Sequence, residues 1–247
     1  LTSPESEPIS FRTNRRSTSV ANHPLMNTRA DIEQMLNGYL ARFPEDRTKK
    51  TAFTDFVAAF DGPALYNRKN FTGHITAGGI VVSRQSGRIL LLKHKQLGKW
   101  LQPGGHVETG DATVSAAAIR EIREETGIRP EQLEPLRFPN ETSCLIEVDS
   151  HFIPRSDAKK EEAHTHHDMR FAFLFNGEDN SVRIDPNESE GCRWVPLEEF
   201  ASLPEFRSLT PRIRQLIDLY LPVGRVRQDP LGRRSSRLCN TTTREDV

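Results

Sequence analysis

Two adjoining runs constrain this chain more than anything else in it: Gly104-Gly105-His106-Val107-Glu108-Thr109-Gly110-Asp111, and then Arg120-Glu121-Ile122-Arg123-Glu124-Glu125-Thr126-Gly127. The second predicts a helix over residues 112–126, stopped by Gly127 and the nearby Pro130. At about 3.6 residues per turn, positions 121, 124 and 125 fall within about 100° of arc, and Ala118, Ile119 and Ile122 fill a neighbouring arc. Such a helix buries one side in a core and gathers its acids on another. Three carboxylates on one face repel each other, so the cluster is costly unless cations share it. Mg²⁺ suits it, being a hard ion that takes carboxylate oxygens and completes its shell with water and phosphate. The glycines let backbone approach such an ion or a phosphate closely, and the Gly104 carbonyl is a candidate ligand. The alternative is a solvated helix face on which Arg120 and Glu124 form an ordinary i,i+4 pair. The double glycine and an acid just ahead of the helix favour the cation.

The remainder reads as mixed strands and helices. Candidate strands cover residues 74–83, 88–93, 143–153 and 168–176, with Ser86-Gly87 as a hairpin turn between the first two. Ahead of them, Ile32, Met35, Leu36, Tyr39, Leu40 and Phe43 recur at helical spacing up to Pro44. Phe53, Phe56, Val57 and Phe60 form a second stripe, closed by Gly62-Pro63. These predict a helical pair over residues 31–70, packed on a central α/β domain over residues 71–221. Near the end of that domain, Ile213, Leu216, Ile217 and Tyr220 follow Pro211 as another helix. Residues 1–30 read as a disordered or transit-like segment, and residues 222–247 as a basic disordered tail whose arginines include Arg225, Arg227, Arg233, Arg234 and Arg237.

Charge and cysteine content narrow the partners. Lys plus Arg is 34 and Asp plus Glu is 34, so no global field draws the chain to nucleic acid or anionic lipid. No apolar run approaches the roughly 18–20 residues of a membrane span. Cys144, Cys192 and Cys239 lie far apart without CxxC spacing, which predicts neither a disulfide framework nor a thiolate zinc site and fits a reducing, cytoplasmic setting.

The glycine turn and acidic helix resemble the Nudix box, written Gx5Ex7REUxEExGU with U a bulky aliphatic residue. The second half matches from Arg120 through Ile128; in the first half Asp111 stands where the pattern has Glu, and one extra residue separates it from Arg120. Residues 99–103 leading into the double glycine, and Arg193-Trp194-Val195-Pro196-Leu197-Glu198-Glu199-Phe200 late in the domain, resemble the flanks of the box in Nudix hydrolases. The resemblance implies an α/β/α sandwich around a mixed β-sheet. It implies Mg²⁺-dependent (or Mn²⁺-dependent) hydrolysis of a nucleoside diphosphate linked to another group, with many relatives acting as homodimers. Carried over position by position, Glu121, Glu124 and Glu125 become metal ligands with help from the Gly104 carbonyl, and Arg120 holds a carboxylate in place. Glu188 or Glu190 is then a loop acid able to act as general base, with Glu188 preferred.

Gly105, Glu108, His94, Trp100 and His166 are candidates for substrate contact. His94 and Trp100, with Lys93, Lys95 and Lys99, offer cations and flat rings that suit a nucleotide. On a strand His164 and His166 share one face and His167 points the other way; with no cysteine beside them, they read as an exposed strand end or a lip of the substrate site before a zinc site. An inactive Nudix-like module that senses a nucleotide or a protein partner is the alternative, weakened by retention of all the box acids. An isomerase of prenyl diphosphates would need a reactive-cysteine motif that neither Cys144 nor Cys192 supplies.

Overall fold

The computed structural model describes residues 27–157 and 160–221, together with the backbone of 237–238. The readings made for residues 1–26, for most of the basic tail and for Cys239 lie outside the described residues. Helices α1 (Arg29–Arg42) and α2 (Thr51–Ala59) precede strands β1 (His74–Ser83), β2 (Ile89–His94), β3 (Trp100–Leu101) and β4 (Gly104–His106). Helix α3 (Val114–Thr126) leads to β5 (Leu133–Pro135), β6 (Leu145–Ile153), β7 (His164–Phe175) and β8 (Ser189–Val195). Helices α4 (Leu197–Ser202) and α5 (Thr210–Tyr220) and the two-residue strand β9 (Arg237–Leu238) follow.

All the strands join one mixed sheet in the order β5-β7-β1-β2-β8-β9, with β3 on β2, β4 on β1 and β6 on β7. The β1–β7 pair is parallel, setting His74 opposite His166 and Gly79 opposite Phe171; the other pairs are antiparallel. Strand β1 is buried along its whole length and β7 from Met169 to Phe175, because helices cover the sheet on both sides. On one face Ile122 of α3 lies against Gly79, where an added Cβ would come within 2.4 Å of Ile122 Cδ1. Phe53 and Phe56 of α2 pack on His167 of the same face, His167 and Gly79 both standing at odd positions in the paired strands. On the other face Arg193 of β8 reaches Glu199 of α4 at 2.6 Å, and Glu147 of β6 accepts from Ser208 just before α5.

Helix α1 begins where Thr28 and Asp31 form a reciprocal capping box. Ile32, Leu36, Tyr39 and Leu40 of α1 and Phe53, Phe56 and Val57 of α2 join one continuous core with the sheet. Arg212 of α5 ties this pair to the domain, its guanidinium 2.7 Å from Asp46 and 2.8 Å from the Tyr39 hydroxyl.

Several boundaries differ from the sequence reading. Helix α3 starts two residues late because Thr113 is extended and caps Ala116 N through its hydroxyl. Strand β7 starts at His164, four residues before the expected 168: its polar first residues pair with β1 and β6 regardless of their low strand propensity. Cys144 is a buried free thiol, whereas Cys192 is disulfide-bonded, against the expectation of no disulfide. Cysteine spacing alone concealed that bridge. None of the described helices is long and apolar enough to cross a membrane.

Candidate active site

Helix α3 is a good helix for local reasons: a Thr113 cap, the Ala116-Ala117-Ala118 run, and Gly127 in the left-handed conformation (φ 69°) at its end. Its buried side, Val114, Ala117, Ala118 and Ile122, lies on β1, and Gly79 lets it come close. That docking turns Glu121 and Glu125 toward β4. Gly104 N–H donates to Glu125 Oε1 at 3.0 Å. A Cβ on Gly105 would stand 2.6 Å from Glu121 Oε1, so the glycine backbone is the floor on which that carboxylate rests.

Arg120 is the hub. Its Nε and Nη2 meet the two oxygens of Asp111 at 3.0 Å each, a bidentate fork. Nη1 donates to Glu121 at 3.0 Å and Glu124 at 2.9 Å, and Nη2 also donates to the His106 carbonyl at 2.7 Å. The extra residue in the loop therefore does not separate Asp111 from the arginine. Asp111 also accepts from Glu108 N at 2.8 Å, which closes the loop. Glu108 itself points to solvent.

Glu188 belongs to the segment before β8, tied to the end of α3 by Arg183 N to Thr126 O (2.8 Å) and Asp185 N to Glu125 O (3.1 Å). This brings it within electrostatic reach of both buried acids. Glu190 goes elsewhere: Lys93 holds it at 2.7 Å on the surface. Burial is the main force on the two inner acids, pushing Glu121 up to about 7 and Glu125 up to about 8. Arg120 opposes it at Glu121 and the Gly104 N–H opposes it at Glu125, while Glu124 and Glu188 add repulsion at both. One guanidinium thus faces five carboxylates, those of Asp111, Glu121, Glu124, Glu125 and Glu188. An all-oxygen donor set short of positive charge, with glycine backbone beneath it, fits a hard divalent cation.

Of the remaining expected residues, His94 accepts from Gln96 N and Leu97 N through Nδ1 and so braces its own turn, next to the Glu188 backbone, whose carbonyl takes Lys95 N at 2.9 Å. One face of the Trp100 ring is covered by the Arg193 guanidinium, 4.1 Å from its centroid. Gly104 engages the site through its N–H. The histidines are not an exposed strand end. His164 and His167 are each only 3% exposed, His167 stacks on Phe56, and His166 lies among four other histidine rings on the opposite sheet face. Of those partners, His74, His106 and His151 carry no signal of their own in the sequence, because strand register brings them together.

Comparison with known proteins bears on this geometry. The family model described as the NUDIX domain matches residues 73–219. Nudix hydrolase 6 of Arabidopsis thaliana is 25% identical over 142 residues, which are 55% of this chain and 43% of that protein, so the chain spans less than half of that relative. Phosphatase NudJ of Escherichia coli (strain K12) is 29% identical over 154 residues, 61% of this chain and 84% of that protein. The solved E. coli dihydroneopterin triphosphate pyrophosphohydrolase is 21% identical, with 57% of this chain and 92% of that one covered and a TM-score of 0.44.

Proposed function

The chain belongs to the Nudix family, and from that premise we propose that it is a divalent-cation-dependent pyrophosphohydrolase acting on a nucleoside diphosphate linked to another group. The observation that carries the reading is the buried Glu125 and the part-buried Glu121, lodged on the Gly104-Gly105 backbone with one arginine for company. A binding module has no use for such a charge deficit, and relatives named as a hydrolase and a phosphatase support turnover.

Glu121, Glu125 and the more exposed Glu124 would hold Mg²⁺ or Mn²⁺. The ion, when bound, supplies neutralisation of the phosphoryl oxygens and a lowered pKa for water. Arg120 fixes the spacing of Glu121 and Glu124 through one nitrogen while Asp111 fixes Arg120, so the acids are set before substrate arrives. Glu188, exposed and within electrostatic reach of both inner acids, would take a proton from the attacking water, while Glu190 is held by Lys93. Substrate would enter over the glycine turn, with His94 beside the Glu188 segment.

The test is a phosphate-release screen with Mg²⁺ over dinucleoside polyphosphates, sugar nucleotides and oxidised nucleoside triphosphates, with Glu124→Gln and Glu188→Gln beside the wild type. Turnover of at least one compound, reduced about 10²-fold or more in each variant, is the expected result. No turnover by the wild type, or equal rates in Glu124→Gln, would overturn the assignment.

A further inference from the structure

Five of the eight histidines of this chain converge on one end of the sheet, on the face turned away from α3. The parallel β1–β7 register puts His74 opposite His166, and the strand alternation puts His164 on the same face two residues earlier. Antiparallel pairing adds His151 opposite His166 and His106 opposite Thr76. The centroids of His74, His164 and His166 lie 4.7–5.0 Å apart, and one ligand nitrogen from each can be chosen so that all lie within 4.8 Å of one another.

We propose that His74, His164 and His166 form a zinc site distinct from the carboxylate cluster on the other side of the sheet.

Two observations beyond proximity point to an ion. His74 is 1% exposed, and neither of its buried ring nitrogens has a partner at full hydrogen-bonding distance and angle, although the Asn70 backbone lies near enough to favour its charged form. Buried polar atoms are nearly always satisfied, so an imidazole short of partners and packed against three others fits a bound ion. His164 Nδ1 lies 2.7 Å from the Glu162 carbonyl, and because a carbonyl only accepts, Nδ1 carries the proton. Nε2 is then the nitrogen that keeps a lone pair, and an outer carbonyl on the other nitrogen is the usual support of a metal-bound imidazole. Zinc–nitrogen bonds of about 2.0–2.1 Å place ligand nitrogens about 3.3 Å apart, so the rings close by at most about 1.5 Å, within the broad χ2 range of histidine.

Asp168 flanks the site but is committed elsewhere: it accepts from Thr76 and, at 3.2 Å, from Arg170. Its other neighbour, His151, is 3.6 Å away. Three neutral nitrogen donors favour zinc or a neighbouring transition metal over magnesium, which prefers oxygen. They would leave a tetrahedral ion one open position. His106 stands between the two centres. Its carbonyl receives Arg120, and its ring is 5.1 Å from His74 and 5.3 Å from His166.

The test uses the untagged full chain, freed of metal and then dialysed against limiting Zn²⁺ in excess Mg²⁺, with bound zinc measured by elemental analysis. The expected result is about one zinc per chain, retained in Glu125→Gln, with affinity lowered at least about tenfold in His164→Gln and His166→Gln. Cobalt in place of zinc should give the visible absorption of a tetrahedral nitrogen-rich site in the wild type. His166 is only half-buried, so its variant should fold as the wild type does, checked by circular dichroism without metal. Absence of zinc from the wild type, its displacement by Mg²⁺, or its equal retention in both histidine variants would overturn the proposal. Loss of phosphate-releasing activity alone would not bear on it.

Discussion

Glu125→Gln is a perturbation whose effect on stability can be worked out in advance. Glu125 is 8% exposed, and its carboxyl is pushed from 4.5 up to about 8, first by burial and then by Glu121, Glu188 and Glu124. A carboxyl raised in the folded state favours folding fully only below its unfolded pKa, and that contribution is lost as pH rises through the folded value. With about 1.4 kcal/mol per pKa unit, the metal-free protein carries a burden of roughly 1 kcal/mol at about pH 5 and roughly 4 kcal/mol at about pH 8 from this one group. Glutamine does not titrate, keeps the shape, and keeps an oxygen to accept from Gly104 N–H. Urea unfolding in chelator should therefore show Glu125→Gln gaining on the wild type by roughly 3 kcal/mol between about pH 5 and pH 8. His74, His166 and His167, whose pKa values burial lowers, are common to both proteins and cancel in the difference. Excess Mg²⁺ should then restore the wild type by roughly 3 kcal/mol at a hundred times its dissociation constant, and leave the variant unmoved. A stability difference that is flat with pH, or a variant stabilised by Mg²⁺ as much as the wild type, would refute the account of Glu125 as a desolvated cation ligand.

Two further outcomes follow from the same site. Arg120→Lys keeps the charge but loses the fork on Asp111 and the reach to Glu121, Glu124 and the His106 carbonyl; it should cost about 1–3 kcal/mol in urea unfolding and weaken Mg²⁺ binding by calorimetry. Gly105→Ala would press a Cβ to 2.6 Å from Glu121 Oε1, the far end of a side chain that can move, so the melting temperature should hold within a few degrees while Mg²⁺ affinity drops at least about tenfold. Gly104→Ala is the control, because its Cβ would meet the Ala77 carbonyl at 2.7 Å and Gly78 Cα at 2.8 Å, rigid backbone that forces a loss of stability as well.

What the sequence made legible was whatever a short stretch determines by itself. Helix α3, its glycine stop and the arc shared by Glu121, Glu124 and Glu125 all sit within one local run, and periodicity reads them directly. Helix α5 likewise announces itself through Pro211 and its apolar stripe. The start of β7 was hidden because four polar residues, His164 to His167, have no strand signature of their own. They are extended because β1 and β6 pair with them on either side.

The two candidate centres differ in the same way, and the difference explains why one was read and the other was not. The carboxylate cluster is written into one glycine turn and one helix, so the one-residue insertion before Arg120 changes the loop without moving Asp111 off the guanidinium. The histidine cluster is assembled from β1, β4, β6 and β7. Shifting β1 by a single residue against β7 would send His74 to the α3 face, away from His164 and His166. That register is held by core residues with no part in the chemistry: Ile75, Val81 and Phe173 are fully buried, and Gly79 admits Ile122. A centre built on register is therefore only as secure as the packing beneath it. A bulky residue at Gly79, which would displace α3 from β1, should disturb the acids and the histidines together even though it touches neither.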